Sequence, residues 1–393
     1  MYLRNNRVGV LDLSTGEAAE QDLEGLPGFD NFDAVRTCEA LASVHGKASM
    51  ILGTGVLTSS FVPAACAGMA YVPTRSNDLQ RAVPLLGFAG VELKQSGFDF
   101  VVLKGTSDKP GYVWIRDGVI GFVSAEGMRA LDSWKRTDKV RSDQGDSKIQ
   151  VLSAGPWGDA RASASQIVID YWGGEDKSGL GAEFGSRNLC AIAFRGMGEI
   201  ELAEPDKHFE DSFLLMRDHV LRLGENSGLA SYYPGASRDD FKALVHRHVA
   251  CYGCPFPCRS YLKVSEEPRE MRLVSKEPGY LHYDIPALEK AFEAGLSAKD
   301  ATTCLIKCAR AGVEPVSLFT FIQGSGIGFE AVDTALSQPS ELKLSSRPNI
   351  EAGFKDPNQA AACLGLGLCP RYWARVGFDK EAAASYAKTA LEA

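Results

Sequence analysis

The chain has 393 residues, enough for two or three domains at roughly 150 residues each. Lysine and arginine number 42 against 50 aspartates and glutamates, a net charge of −8, and no basic tract offers a grip on a nucleic-acid backbone. Apolar residues at 45% and charged residues at 23% exclude disordered, collagen-like and coiled-coil chains and leave a globular one.

Along the chain, Val8–Leu13 reads as a strand closed by the turn Ser14-Thr15-Gly16. No charge falls between Lys47 and Arg75, a run long enough in principle to cross a bilayer. Gly53, Gly55, Pro63 and Pro73, with the hydroxyls Thr54, Thr58, Ser59 and Ser60, break it up, so Met50–Leu52 and Met69–Val72 are expected as buried strands without membrane insertion. Met1–Val10 has two arginines and no apolar core of signal-peptide length, and a cytoplasmic protein is expected. Phe98–Leu103, Tyr112–Ile115, Ile149–Ser153, Ile167–Ile169 and Ala191–Phe194 read as further strands, and Asp117-Gly118 marks a hairpin into Val119–Val123. Helices in this half are expected to be few and short. The mixed-charge run Lys135–Lys148 is read as a solvated loop, and Trp114, Trp157 and Trp172 as core.

The period changes near residue 205. Asp206 reads as the cap of a helix with Phe209, Phe213, Met216, Val220 and Leu223 on its apolar face and Gly224 at its end. Ser237 and Asp240 open another, carrying Phe241, Leu244, Val245 and His248, with His246 and His248 as packed or solvated side chains. Ser297 and Asp300 cap a third before Leu305, Cys308 and Gly312, and a last helix starts near Asp379. Gly324-Ser-Gly-Ile-Gly328 lacks the lysine of a phosphate-binding loop. The fold class is therefore α+β, a β-rich domain over residues 1–204 and a helical one over 205–393, divided at Glu204-Pro205.

Ten cysteines occur. Cys38, Cys66, Cys190, Cys304, Cys308 and Cys363 lie among apolar neighbours and are read as small buried hydrophobes. Cys251-Tyr-Gly-Cys254-Pro-Phe-Pro-Cys258 is different: three thiols in eight residues, on backbone kept irregular by one glycine and two prolines, fit one face of an iron–sulfur cubane. A fourth ligand must come from elsewhere, and Cys369, in a glycine-loosened turn before Pro370, is the candidate. A structural zinc site, which also takes four cysteines, remains the alternative.

The sequence resembles the aldehyde ferredoxin oxidoreductase family in Val10-Leu-Asp-Leu-Ser-Thr-Gly16, Gly53-Thr-Gly-Val-Leu-Thr58, Gly90-Val-Glu-Leu-Lys94 and Gly179-Leu-Gly-Ala-Glu-Phe-Gly-Ser-Arg-Asn-Leu189. The cysteine spacing and Gly367-Leu-Cys369 continue the match in the family's order. The resemblance implies a first domain of two β-sheets, helical domains closing over it, and a tungsten ion held between two pterins beside a [4Fe-4S] cluster. It implies Cys251, Cys254, Cys258 and Cys369 as the cluster ligands, with Lys177, Gly179, Gly181 and Gly185 as remnants of pterin contacts.

The departures fall on the tungstopterin. The family's glycine-arginine-glycine segment corresponds to Phe29–Arg36, without glycines, and its asparagine-serine-glycine-glycine stretch to Pro84-Leu85-Leu86-Gly87. Lys177 stands where an arginine is expected, which gives up a bidentate phosphate fork. The acidic residues of the paired D-x-x-G-L motifs are replaced by Ala309 and Leu364, and Glu277 and His282 are the ionisable groups left near the position of a catalytic glutamate. The leading expectation is an iron–sulfur oxidoreductase, suited to anaerobic conditions, that passes electrons through one [4Fe-4S] cluster without its own tungstopterin chemistry. Its partner would be ferredoxin, a flavoprotein or a full-length tungsten oxidoreductase subunit, and the resemblance suggests a homodimer. The alternatives are a tungsten- or molybdenum-pterin aldehyde oxidoreductase with ferredoxin as acceptor, and a zinc-stabilised structural or assembly protein.

Overall fold

The computed structural model describes residues 3–73, 82–173, 175–223, 237–264, 279–282, 284–323, 326–345 and 356–391. In the N-terminal half, β1 (Arg7–Asp12), β2 (Ala18–Asp22), β3 (Met50–Thr54), β4 (Gly68–Tyr71), β5 (Ala82–Leu85) and β6 (Phe100–Lys104) form one sheet in the order β2-β1-β6-β3-β4-β5. β1 and β6 run parallel, and the other neighbours are antiparallel. β7 (Gly111–Arg116), β8 (Val119–Ser124), β9 (Gln150–Ala154), β10 (Ile167–Ile169) and β11 (Leu189–Arg195) form the second sheet, ordered β10-β9-β11-β7-β8. Asp117 and Gly118 both take positive φ, +46° and +82°, the left-handed pair that a tight β7–β8 turn requires.

Strand alternation gives the first sheet two buried faces. Leu52, Val101 and Leu103 pack toward Val113, Ile115 and Ile192 of the second sheet. Ile51 and Val102, one residue out of phase, pack on the other side against Leu41, Leu364, Leu368 and Tyr372. This outer face, roofed by the Ala34–His45 and Pro357–Gly365 helices, is where the cysteine segments meet. A helical region follows the sheets, including Pro205–Leu223, Ala298–Ala311, Pro315–Ile322, Pro370–Val376 and Lys380–Leu391. Ser297 caps Ala298–Ala311 by accepting from the Asp300 amide, and Gly312 ends it at φ +74°. Trp157 packs among helical residues such as Cys304, Leu305 and Phe319, whereas Trp114 and Trp172 are half-buried.

Several local expectations are corrected. The charged run after Asp132 is a helix, Ser133–Gln144, whose buried stripe is Ser133, Arg136, Thr137 and Val140. Arg136 reaches inside to pair with Asp159, so a polar stripe takes the place of the apolar one that would have marked the helix. The Ala34–His45 helix is likewise longer than the short pieces expected, and Asp33 caps it through Val35 N and Arg36 N. Pro205 opens the next helix, with Asp206 inside its first turn. Its buried side chains are His208, Ser212, His219 and Leu223, while Phe209, Phe213 and Val220 are 46–56% exposed. Pairing decides this: Ser212 and His208 bond Tyr386, and His219 Nδ1 lies 2.8 Å from the Tyr372 hydroxyl. The helix opened by Ser237 stops early, at Asp239–Leu244, and His246 and His248 lie on a strand. That strand, β12 (Val245–Val249), pairs with β13 (Arg259–Lys263), which pairs with β14 (Gly279–His282) in a third, antiparallel sheet. The connection between β12 and β13 is the cysteine loop.

Candidate functional site

Four segments distant in sequence are bound together by their backbones. The β12–β13 connection presents Cys251 and Cys254, half-buried, and Cys258, 6% exposed. Gly253 turns it at φ +58°, and its carbonyl accepts from Ala64 N at 3.0 Å. Tyr252 N donates to Gly87 O at 3.1 Å, tying the loop to the end of β5. Cys369 N donates to Ala64 O at 2.9 Å and Ala67 N to Gly367 O at 3.0 Å, so the turn carrying Cys369 pairs directly with residues 64–67.

Two glycines permit this approach. A Cβ on Gly55 would stand 2.1 Å from Gly367 N, and one on Gly367, at φ +89°, would stand 2.2 Å from Thr58 Oγ1. Thr58 Oγ1 accepts from Gly55 N and donates to Ala67 O. Fully buried Lys94 donates from Nζ to Gly55 O at 2.9 Å and Val56 O at 2.8 Å, and Trp373 Nε1 donates to Pro63 O.

Cys251, Cys254, Cys258 and Cys369 are thereby brought within electrostatic reach of one another. Cys66, 0% exposed, joins them, near enough to Cys251 and Cys369 that its own thiol is pushed well up by them and by burial. The contact with Cys66, aided by Arg259, lowers the Cys251 thiol to about 6 against the opposing effect of burial. Arg259 Nη2 lies 3.0 Å from Cys251 Sγ. Cys369 is lowered by Cys66 and, more weakly, by Arg371. Burial and the neighbouring sulfurs push Cys254 well up and Cys258 to about 12. Arg371 forms a two-point ion pair with buried Glu175 at 2.9 and 3.1 Å. The site is thus a soft-donor environment, half-buried at Cys251 and Cys254 and buried at Cys258 and Cys369, with Arg259 and Arg371 beside it. Among the described residues, no group of three or more His, Cys, Asp or Glu side chains is gathered as around a single metal ion.

The pterin-remnant residues have a different environment. Cβ atoms on Gly179, Gly181 and Gly185 would meet Ser163 O at 2.4 Å, Gln166 O at 2.9 Å and Gly158 O at 1.8 Å, so these glycines serve protein-to-protein packing. Lys177 is 1% exposed. Beside the cysteines, Gly87, Phe88, Trp172, Glu175 and Arg259 line a cavity of about 130 Å³. Small-molecule sites usually take roughly 300–1,000 Å³, and this cavity lies below that range. Glu277 lies outside the described residues, and the backbone of His282 pairs with Ser260, two residues past Cys258.

The sequence reading missed Cys66, Lys94, Arg259 and Arg371 as parts of this site. A usable signal existed for the arginines, since one follows Cys258 directly and the other stands two residues after Cys369. For Cys66 there was none, because its neighbours are apolar and its partners are remote in sequence.

Residues 31–196 match the family described as aldehyde ferredoxin oxidoreductase, N-terminal domain. The tungsten-containing aldehyde ferredoxin oxidoreductase of Pyrococcus furiosus is 26% identical over 53% of this chain and 39% of its own length. The enzyme of the same name from Pyrococcus horikoshii is 27% identical over 47% of this chain and 30% of its own. The chain therefore spans well under half the length of these relatives. Among solved structures, the active-site complex BamBC of benzoyl coenzyme A reductase, with 1,5-dienoyl-CoA, shares the fold at a TM-score of 0.68 and 15% identity, covering 98% of this chain and 65% of that one. On the matching N-terminal domain and the curated relatives, the chain is similar to the aldehyde ferredoxin oxidoreductase family, with the family match spanning residues 31–196.

Proposed function

We propose that the chain is an iron–sulfur oxidoreductase that passes electrons through one [4Fe-4S] cluster held by Cys251, Cys254, Cys258 and Cys369, without tungstopterin chemistry of its own. The observation that supports this reading is the backbone bonding of both cysteine segments to residues 64–67, Cys369 N to Ala64 O and Ala64 N to Gly253 O, beside Arg259. When bound, the cluster supplies a one-electron acceptor and donor. The protein's part is to set its environment. Phe256, Tyr372 and Trp373, 0–6% exposed, keep water from the sulfurs, and the guanidinium groups offset their negative charge. Together with the similarity of residues 31–196 to the family's N-terminal domain, this reading makes the protein a cytoplasmic electron carrier that works beside a redox partner, which would be ferredoxin, a flavoprotein or a full-length tungsten enzyme.

Anaerobic purification with elemental analysis, followed by EPR before and after dithionite reduction, tests this. The expected result is about four irons per chain with sulfide, no stoichiometric tungsten or molybdenum, and a reduced-cluster signal abolished in Cys254→Ala. Tungsten or molybdenum near one atom per chain would establish the aldehyde-oxidising alternative instead. A colourless protein that binds zinc would establish the structural one.

A further inference from the structure

The Pro205–Leu223 helix rests on the core through His208, Ser212, His219 and Leu223, yet it keeps an apolar surface on its outer side. At 3.6 residues per turn, Glu210, Leu214, Arg217 and Leu221 fall opposite the buried stripe, with Phe209, Phe213 and Val220 alongside them. Leu214 is 42% and Leu221 72% exposed. Phe61, itself 49% exposed, extends the patch by meeting Phe209 edge-on at 5.5 Å between ring centroids. These six apolar side chains expose on the order of 600 Å², the upper end of what a single patch on a monomer usually shows.

Two charges lie in the middle of this face. Glu210 and Arg217 are exposed, and neither forms an ion pair among the described residues, while Lys207, one turn before Glu210, is bonded to Asp211. Seven residues apart, about 10 Å along the axis, Glu210 and Arg217 are too distant to meet within one helix. They are equidistant from the point between Phe213 and Leu214. A second copy of the helix laid antiparallel across that point sets each Glu210 opposite Arg217 of the other copy, twice over by symmetry. The phenylalanine side then meets its own counterpart, and so does the side carrying Leu214 and Leu221. A parallel copy would instead oppose Glu210 to Glu210. We propose that this face is the interface of a homodimer in solution, in which two Pro205–Leu223 helices pair antiparallel, Phe61 covers the edge, and Glu210 and Arg217 fix the register. The helix is about 28 Å long, and burying it with Phe61 brings the covered area toward the roughly 800 Å² per partner of a standard interface. The pairing requires no bound cluster, so it stands apart from the electron-transfer reading.

Sedimentation velocity and equilibrium on the full chain, over a series of protein concentrations, test this. The expected result is a reversible dimer in the wild type and a monomer in Leu221→Glu, with an unchanged urea midpoint because that side chain is exposed. Glu210→Arg and Arg217→Glu should each weaken dimerisation by on the order of 10- to 100-fold, since each replaces two opposite-charge pairs by two like-charge ones. The double variant Glu210→Arg/Arg217→Glu should return the dissociation constant to near the wild-type value. A wild type that stays monomeric at every concentration overturns the proposal. A dimer that survives both single reversals, or one that the double variant fails to recover, overturns it as well.

Discussion

Lys94→Met probes how the cysteine-bearing turns are held. The Lys94 ammonium is fully buried and donates to Gly55 O and Val56 O, the start of the segment that leads to Cys66. Removing it strands two buried carbonyls, at about 1–3 kcal/mol each, or about 2–6 kcal/mol together. The opposing effect is desolvation, which pushes the Lys94 pKa down to about 8 from 10.5 despite the attraction of buried Asp99. That shift corresponds to about 3 kcal/mol by which the charged form weakens the fold, and methionine escapes it. Below pH 8 the two effects partly cancel, so the variant should lie within about 3 kcal/mol of wild type. Between about pH 8 and 10.5 the native state has released the Lys94 proton and the unfolded chain still binds it. Stability from this group therefore rises with pH across that window. The wild type's advantage over Lys94→Met should grow by about 3 kcal/mol between pH 7 and pH 10.5. Urea unfolding of both proteins, followed by far-UV circular dichroism at pH 7, 8.5, 10 and 10.5, measures it. A difference that stays constant or shrinks as pH rises would refute the argument.

Gly367→Ala should destabilise the protein by about 3 kcal/mol and lower iron retention, because it places a Cβ at φ +89° and 2.2 Å from Thr58 Oγ1. The urea midpoint and iron per chain check both effects. Arg371→Met leaves the Glu175 carboxylate, whose side chain is 4% exposed, without its ion pair, at a cost of about 3–5 kcal/mol. The double variant Arg371→Met/Glu175→Gln should recover a large part of that loss in the same unfolding assay.

The strands and the cysteine triad were legible because both are local. β3 and β6 show as short runs of Met, Ile, Leu, Val and Phe, and the Asp117-Gly118 turn is set by the conformations those two residues accept. The triad is legible because its three thiols lie on one loop. Periodicity misled where a buried stripe is polar. Arg136 inside the Ser133–Gln144 helix and His208, Ser212 and His219 inside the Pro205–Leu223 helix are satisfied by partners that no local pattern reveals. The break from helix to strand at Val245 is a tertiary choice too, since β12 gains a ladder with β13 that exists only once the cysteine loop has folded back.

By itself the sequence determined the α+β class, the strand pattern and the three-cysteine loop, since each follows from side-chain types at fixed short spacings. Only the tertiary structure decided that Cys66, Arg259 and Arg371 lie beside that loop and the turn carrying Cys369. Their meeting depends on backbone hydrogen bonds between residues 64–67 and 367–369 and on the absence of side chains at Gly55 and Gly367. Such contacts join segments hundreds of residues apart, and no spacing within either segment encodes them.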